Sequence, residues 1–287
     1  MPKISVITVV WNNVFGLQKT MDSILNQGFD DFEYIIVDGK STDGTAELLK
    51  ACTDQHVKWI SEPDDGIYDA TCKAIEMATA EYVTFIDSGN WYINRDVLIA
   101  MSSELQSDTE FISFPYIHEK RHGKQMQWKV AYPDSNPEHL YFAFDMFLHG
   151  SLVRRELFER YGLPELKYKC SGDHALVLKF YKNGVKLDAG KTVNLYFLDG
   201  GISSDPRKIA FKEDREIAIA YGKKKWISWA VFFKRMLMFN GLVFLRKIGL
   251  ASIARKLIGK SPDIPLEELR AKYCDPYSPW FERCEKQ

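Results

Sequence analysis

The 287-residue sequence has no GxGxxG after its first apolar stretch and no GxxxxGK(S/T) anywhere. Such loops cradle dinucleotides and triphosphates through backbone N–H groups, so a dinucleotide cofactor and P-loop chemistry are not expected. Cysteine is scarce: Cys52, Cys72, Cys170, Cys274 and Cys284 form an odd, scattered set without a CxxC pair. That suits free thiols in a reducing compartment better than a disulfide framework. No apolar run reaches the roughly 18 residues that a membrane span needs. The opening MPKISVITVV lacks the charged, apolar and small-residue regions of a secretion signal, from which a cytoplasmic location is expected. The net charge of −1 points to neither nucleic acid nor a membrane.

What is present is a globular composition and a regular pattern. Apolar residues at 46% can fill a core, and the length suits one large domain or one domain with an appendage. Ile4 to Val10 and Phe32 to Val37 read as strands buried on both faces, with helical spacing between them over Leu17 to Asn26. Ser41 or Asp43 can cap the next helix, Val57 to Ile60 is a short third strand, and a helix is expected from about Tyr68 to Ala80. Tyr82 to Ile86 is a fourth strand. Such alternation marks a mainly parallel sheet. The strand ends carry Thr8 and Asn12, Asp38, Asp64 and Asp69, then Asp87 and Asn90. Further on, FISFPYI and QMQWKVAY read as paired strands about an HEKRHGK turn, and helices are expected near Arg155 and from Gly172 to Gly184. Between Lys223 and Lys260 there are ten Lys or Arg and no acid, around apolar runs of eight and ten residues.

Two motifs need weighing. HEKRH (His118 to His122) has the form of the HExxH zinc helix, which requires a helix to bring both histidines to one face. Pro115, Gly123 and the central Lys120 and Arg121 favour a solvated hairpin turn, with a zinc hydrolase as the alternative. Asp38 sits where a buried strand gives way to DGKSTDGT. It is either an Asx-turn former or a carboxylate at the strand end where open sheets bind ligands.

With VITVVWNN, VDGKSTDGT, SEPDDGIYDATCKAI, AEYVTFIDSGNWY, RRELFERYGLPE, SGDHALVLKFYKNG and LDGGISSD in this order, residues 3 to 205 resemble the family 2 glycosyltransferases. The likeness is greatest to the branch that builds bacterial surface polysaccharides of the cell envelope. The resemblance implies an α/β GT-A fold, a Rossmann-like nucleotide-binding mixed sheet flanked by helices. Residues 1–215 would form the catalytic domain (1–100 for the nucleotide, 101–215 for the acceptor), and 216–287 a basic amphipathic helical appendage. It also implies that Asp38 holds the nucleotide base, that Thr8 and Asn12 line the same pocket, and that Asp69, Asp87 and Ser88 complete the nucleotide site. Asp87 and Asn90 would hold Mg²⁺ or Mn²⁺, and Asp173 would be the base that takes the acceptor proton. His149 and Trp91 would form the acceptor-side floor, although a satisfied core histidine is the other reading of His149. Three positions depart from the family: Gly172 and Asn90 stand in place of acids, and Cys72 in place of asparagine.

The expected activity is transfer of a sugar from a nucleoside diphosphate donor to a lipid-linked saccharide hydroxyl, with inversion, at the inner face of the cell membrane. The thinned acid set leaves a catalytically silent sugar-nucleotide-binding protein as a further alternative. Wound as a helix, Trp226, Trp229, Phe232, Phe233, Met236 and Leu237 share a face opposite Lys234 and Arg235. The pattern over 223–260 is expected to lie on a membrane surface. A packed helical pair or a homo-oligomer interface would use the same pattern.

Overall fold

The computed structural model describes residues 2–122, 125–134, 136, 139–142, 148–198, 207–247 and 265–273. Strands β1 (Ile4–Val10) and β2 (Phe32–Asp38) are buried on both faces because their alternate residues enter two different cores. Ile4, Val6, Tyr34 and Ile36 face one, while Ile7, Ile35 and Val37 face the other. The first core is covered by α1 (Val14–Leu25), which Asn13 caps by accepting from the Gly16 N–H. A β-carbon on Gly16 would lie 2.2 Å from the Asn13 side chain, so the cap requires glycine there. Helix α2 (Thr45–Ala51), β3 (Val57–Ser61), α3 (Ile67–Met77) and β4 (Tyr82–Phe85) complete the alternation. The α3 helix stops earlier than its periodicity suggests because Ala78 is extended.

The main sheet runs β10-β6-β9-β4-β1-β2-β3, with β6 at Phe111–Ser113, β9 at Leu152–Arg154 and β10 at Leu187–Ala189. Every pairing is parallel except those of β9, which runs antiparallel to both β4 and β6. A second sheet has the order β5-β11-β7-β8, from β5 (Trp91–Tyr92), β7 (Tyr116–His122), β8 (Gln125–Ala131) and β11 (Leu195–Leu198). Helices α4 (Val97–Ser103), α5 (Glu156–Tyr161) and α6 (Gly172–Lys182) fill the connections. The expected hairpin of β7 and β8 forms, but HEKRH is strand and not turn. Glu119 is buried and accepts from the Tyr196 hydroxyl at 2.6 Å. Positions 118 and 122 are about 13 Å apart at the strand rise, too far to chelate one zinc ion. The zinc-hydrolase alternative is therefore overturned.

Helix α7 (Arg207–Ala220) packs on α6, and its Ile217 and Ala218 are fully buried. The expected boundary at 215 falls inside this helix. Helix α8 (Lys225–Lys247) packs along α7, and α9 (Leu266–Tyr273) follows. The expected single apolar face of α8 is divided. The Arg215 guanidinium lies 4.0 Å over the Trp229 ring, and Arg235, expected opposite, turns inward to Asp214 at 2.7 Å. Trp226, Phe233, Leu237, Met238 and Phe244 are the exposed large apolar residues among those described in the helix. No described helix is long and apolar enough to cross a membrane. Residues 248–260 of the basic segment lie outside the described residues.

Candidate active site

Because β1, β2 and β4 are parallel, their carboxyl ends open on one edge, and the candidate residues lie there or one loop away. Asp38 ends β2 and is fully buried. Its carboxylate accepts from the Ser41 N–H at 3.1 Å, the Ser41 hydroxyl and the Ser61 hydroxyl at 2.6 Å. The turn role is thus visible directly. Asn12 ties the end of β1 to the same loop: its N–H donates to Ser41 Oγ at 2.7 Å, and its Oδ1 accepts from the Thr42 N–H at 2.8 Å. Asn12 and Lys40 both adopt left-handed backbone angles, φ 49° and 59°, and the bonds to Ser41 and Thr42 hold Asn12 in that conformation. Asp64 Oδ2 lies 2.4 Å from where a β-carbon on Gly39 would be, so glycine admits this second acid.

Four of the expected residues have partners within the protein. Thr8 is fully buried and bonded to the Tyr34 hydroxyl at 3.0 Å, on the core side of β1. Asp69 accepts from the Asp65 N–H and pairs with Lys73 at 3.2 Å, as a carboxylate in the first turn of a helix should. Ser88 is held by Asn13, whose amide donates to its carbonyl at 3.0 Å and its hydroxyl at 3.1 Å. Trp91 is 1% exposed and stacks on Tyr196 with ring centres 4.4 Å apart, so it is core and not floor.

Asp87, His149 and Asp173 do come together. The chain pairs at Phe85 and His149, and the Gly150 N–H donates to the Phe85 carbonyl at 2.8 Å. This sets His149 beside the end of β4, where its Nε2 donates to Asp87 Oδ1 at 2.9 Å. Burial works against its charge, but Asp87 and then Asp173 raise its pKa to about 9, so it is an imidazolium at neutral pH. Asp173 stands in the first turn of α6, accepting from the His174 N–H at 2.9 Å and the Tyr68 hydroxyl at 3.2 Å. Burial pushes its carboxyl above the ordinary range, an effect that the positive His149 moderates. A raised carboxylate pKa makes a stronger proton acceptor. The departure at Gly172 has a physical cause: a β-carbon there would lie 2.9 Å from the Tyr68 ring.

Tyr68 and Trp11 escaped the sequence reading. Burial raises the Tyr68 phenol well above its ordinary pKa, which keeps it a donor toward Asp173. Trp11 is exposed next to Gly39 and Asn12. An aromatic set between a strand end and paired asparagines was the available signal.

Asn90 does not fit a cation site. It is buried, and its Oδ1 accepts from the Leu198 N–H at 3.0 Å. Asp87 does fit one, since its carboxylate is about a third exposed and offers a hard oxygen. Among the described residues no group of three or more His, Cys, Asp or Glu is placed to hold a metal ion. The described cysteines, Cys52, Cys72 and Cys170, are free thiols, and Cys274 and Cys284 lie outside the described residues.

Residues 5–162 match the family described as Glycosyl transferase family 2. A Mycobacterium tuberculosis (strain ATCC 25618 / H37Rv) glycosyltransferase is 36% identical over 98 residues, which is 34% of this chain and 37% of that protein. Bacillus subtilis (strain 168) EpsH, a glycosyltransferase by name, is 30% identical over 172 residues, 56% of this chain and 50% of its own. The chain thus spans half or less of these relatives. Among solved structures, S. aureus TarS 1–349 in complex with UDP-GlcNAc aligns with TM-score 0.63 at 17% identity, covering 99% of this chain and 87% of that one. The mannosyltransferase PcManGT from Pyrobaculum calidifontis, in complex with GDP-Man and Mn²⁺, aligns with TM-score 0.60 at 19% identity over 94% and 79%. At these identities the likeness is one of fold, and the fold is GT-A.

Proposed function

Since the chain belongs to glycosyl transferase family 2, we propose that it moves a sugar from a nucleoside diphosphate donor to a hydroxyl of a saccharide acceptor. The observation that carries this reading is the trio Asp87, His149 and Asp173 at the open edge of the sheet. The acceptor hydroxyl gives its proton to the Asp173 carboxylate as its oxygen attacks the anomeric carbon. The bond from that carbon to the diphosphate oxygen breaks, and the electron pair leaves with the diphosphate. This is a single displacement with inversion. The His149 imidazolium faces the charge that builds on the leaving group. A divalent cation held by Asp87 would supply further neutralisation there when the donor is bound. The nucleotide lies by the Asp38–Ser41 loop, with Trp11 offering its exposed face to the base.

The test is release of nucleoside diphosphate from a panel of UDP-, GDP- and dTDP-sugars, with and without EDTA. Turnover with one base class, and weaker binding of its diphosphate in EDTA by calorimetry, are expected. Equal affinity and rate in EDTA would leave Asp87 with no metal role. Donor binding without release from any sugar would instead favour the silent binding protein that the missing acids at Gly172 and Asn90 suggest.

The acceptor is lipid-linked in this reading, and the protein works at the inner face of the cell membrane. What supports it is the outer stripe of α8: Trp226, Phe233, Leu237 and Phe244 recur at helical spacing and are exposed. Lys224, Lys225 and Lys234 are exposed with them. An aromatic and cationic face without acids suits the surface of an anionic bilayer. Full-length protein is expected to sediment with anionic vesicles and to be released by salt. A chain ending near Tyr221 should remain in solution, and equal partition of the two would remove the idea.

A further inference from the structure

Glu213 and Asp214 are adjacent acids on α7, and both are buried, at 8% and 6% exposure. Buried carboxylates need partners. Those of Glu213 are three successive backbone N–H groups: Lys169 at 2.8 Å, Cys170 at 3.0 Å and Ser171 at 2.9 Å. Asp214 divides its oxygens. Oδ1 accepts from the Ser171 hydroxyl at 3.0 Å and from His174 Nδ1 at 2.9 Å, while Oδ2 accepts from Arg235 of α8 at 2.7 Å. The other ring nitrogen of His174 meets the Leu140 carbonyl. With an acceptor at each nitrogen, the ring carries both protons and is an imidazolium. The acids therefore grip the chain at Ser171 and at His174, and Asp173 lies between those two grips.

We propose that Glu213 and Asp214 are positioning residues for sugar transfer, fixing the Asp173 carboxylate toward the acceptor by holding the backbone on both sides of it, with Arg235 completing the set. The proposal rests on Asp173 being the base. It extends the working machinery past the family-matched residues to helices α7 and α8. The buried charges fit it: the His174 and Arg235 cations balance the Glu213 and Asp214 carboxylates, and the His174 imidazolium is the member whose charge favours the ionised Asp173. The titratable groups near Asp173 are Tyr68 from α3, His149 from the segment just before β9, Cys170, and His174. Neither positioning acid contacts the Asp38 loop or Asp87, so donor binding is not their task.

Asp214→Asn in the full-length protein, assayed by diphosphate release, is expected to lower kcat about tenfold or more, the scale on which small misplacement of a catalytic group is felt. KM for the donor should stay within about twofold, a split that general destabilisation would not give. His174→Gln should also move the acidic limb of the kcat–pH profile to higher pH, because losing the imidazolium disfavours the ionised Asp173. If Asp214→Asn does not fold by circular dichroism, Arg235→Met, altered at a partly exposed side chain, should show the same split at smaller size. Folded variants with wild-type kcat and an unmoved profile overturn the proposal, provided Asp173→Asn is inactive alongside. An active Asp173→Asn overturns both the base assignment and the positioning built upon it.

Discussion

Asp173→Asn is expected to lose sugar transfer by about 10²–10⁴-fold, the usual contribution of a positioned base. The substitution is close to isosteric, and an amide oxygen can still accept from the His174 N–H and the Tyr68 hydroxyl, so the start of α6 should hold. What disappears is the basicity of the carboxylate, since an amide oxygen accepts hydrogen bonds but is too weak a base to take the proton. Affinity for the nucleoside diphosphate should be unchanged, since the Asp38 loop closes around other strand ends. In the parent enzyme, kcat should fall as pH drops through the Asp173 pKa, where the carboxyl becomes protonated. That limb should lie above the range of an ordinary aspartate, because burial raises the group. Turnover within a few-fold of the parent would show that the proton goes elsewhere.

Asp38→Ala should act on the other half of the reaction. It strands the Ser41 N–H, the Ser41 hydroxyl and the Ser61 hydroxyl, all now satisfied by one buried carboxylate. Leaving these partly buried donors unpaired costs up to about 1–3 kcal/mol, so the urea midpoint should fall. The loop carrying Ser41 also anchors Asn12 and adjoins Trp11, and its loosening is expected to weaken diphosphate binding by about 10–100-fold, or 1.4–2.7 kcal/mol. Calorimetry on the folded variant reads the second effect apart from the first. An unchanged affinity with reduced stability would mean that Asp38 only forms the turn.

The sequence and the structure agree wherever the signal is local. The first four strands are apolar and β-branched runs, and period two sends their side chains to two cores, so both the runs and the sheet type were readable. Thr8 shares the register of Ile4, Val6 and Val10, and its bond to the Tyr34 hydroxyl lies on that side of the sheet. The Asp69–Lys73 pair at helical spacing was equally open to view. Asn90 was not. Its oxygen is taken by the backbone of Leu198, 108 residues away, and no local pattern reports such a contact. The same holds for β9, three residues long, and for HEKRH, whose strand state depends on pairing with β8 and on the distant Tyr196. His149 needed the fold as well, since its role as a cation follows from Asp87, 62 positions earlier.

The reversed strand β9 also sets the order in which the sheet can be assembled. Strands β1 to β4 lie within residues 4 to 85, and their parallel pairs can zip together as soon as that length of chain is made. The edge of β4 then waits for a neighbour, because Leu152 comes 67 residues after Phe85. During that interval a fully buried strand, YVTF, presents unpaired N–H and C=O groups to solvent. An open apolar edge is a template for pairing with another chain. Such distant pairing is slow to form. Nascent chains at this stage are therefore the species most exposed to aggregation, and the arrival of Leu152–Arg154 closes the window by sealing β4 and giving β6 its place in the sheet.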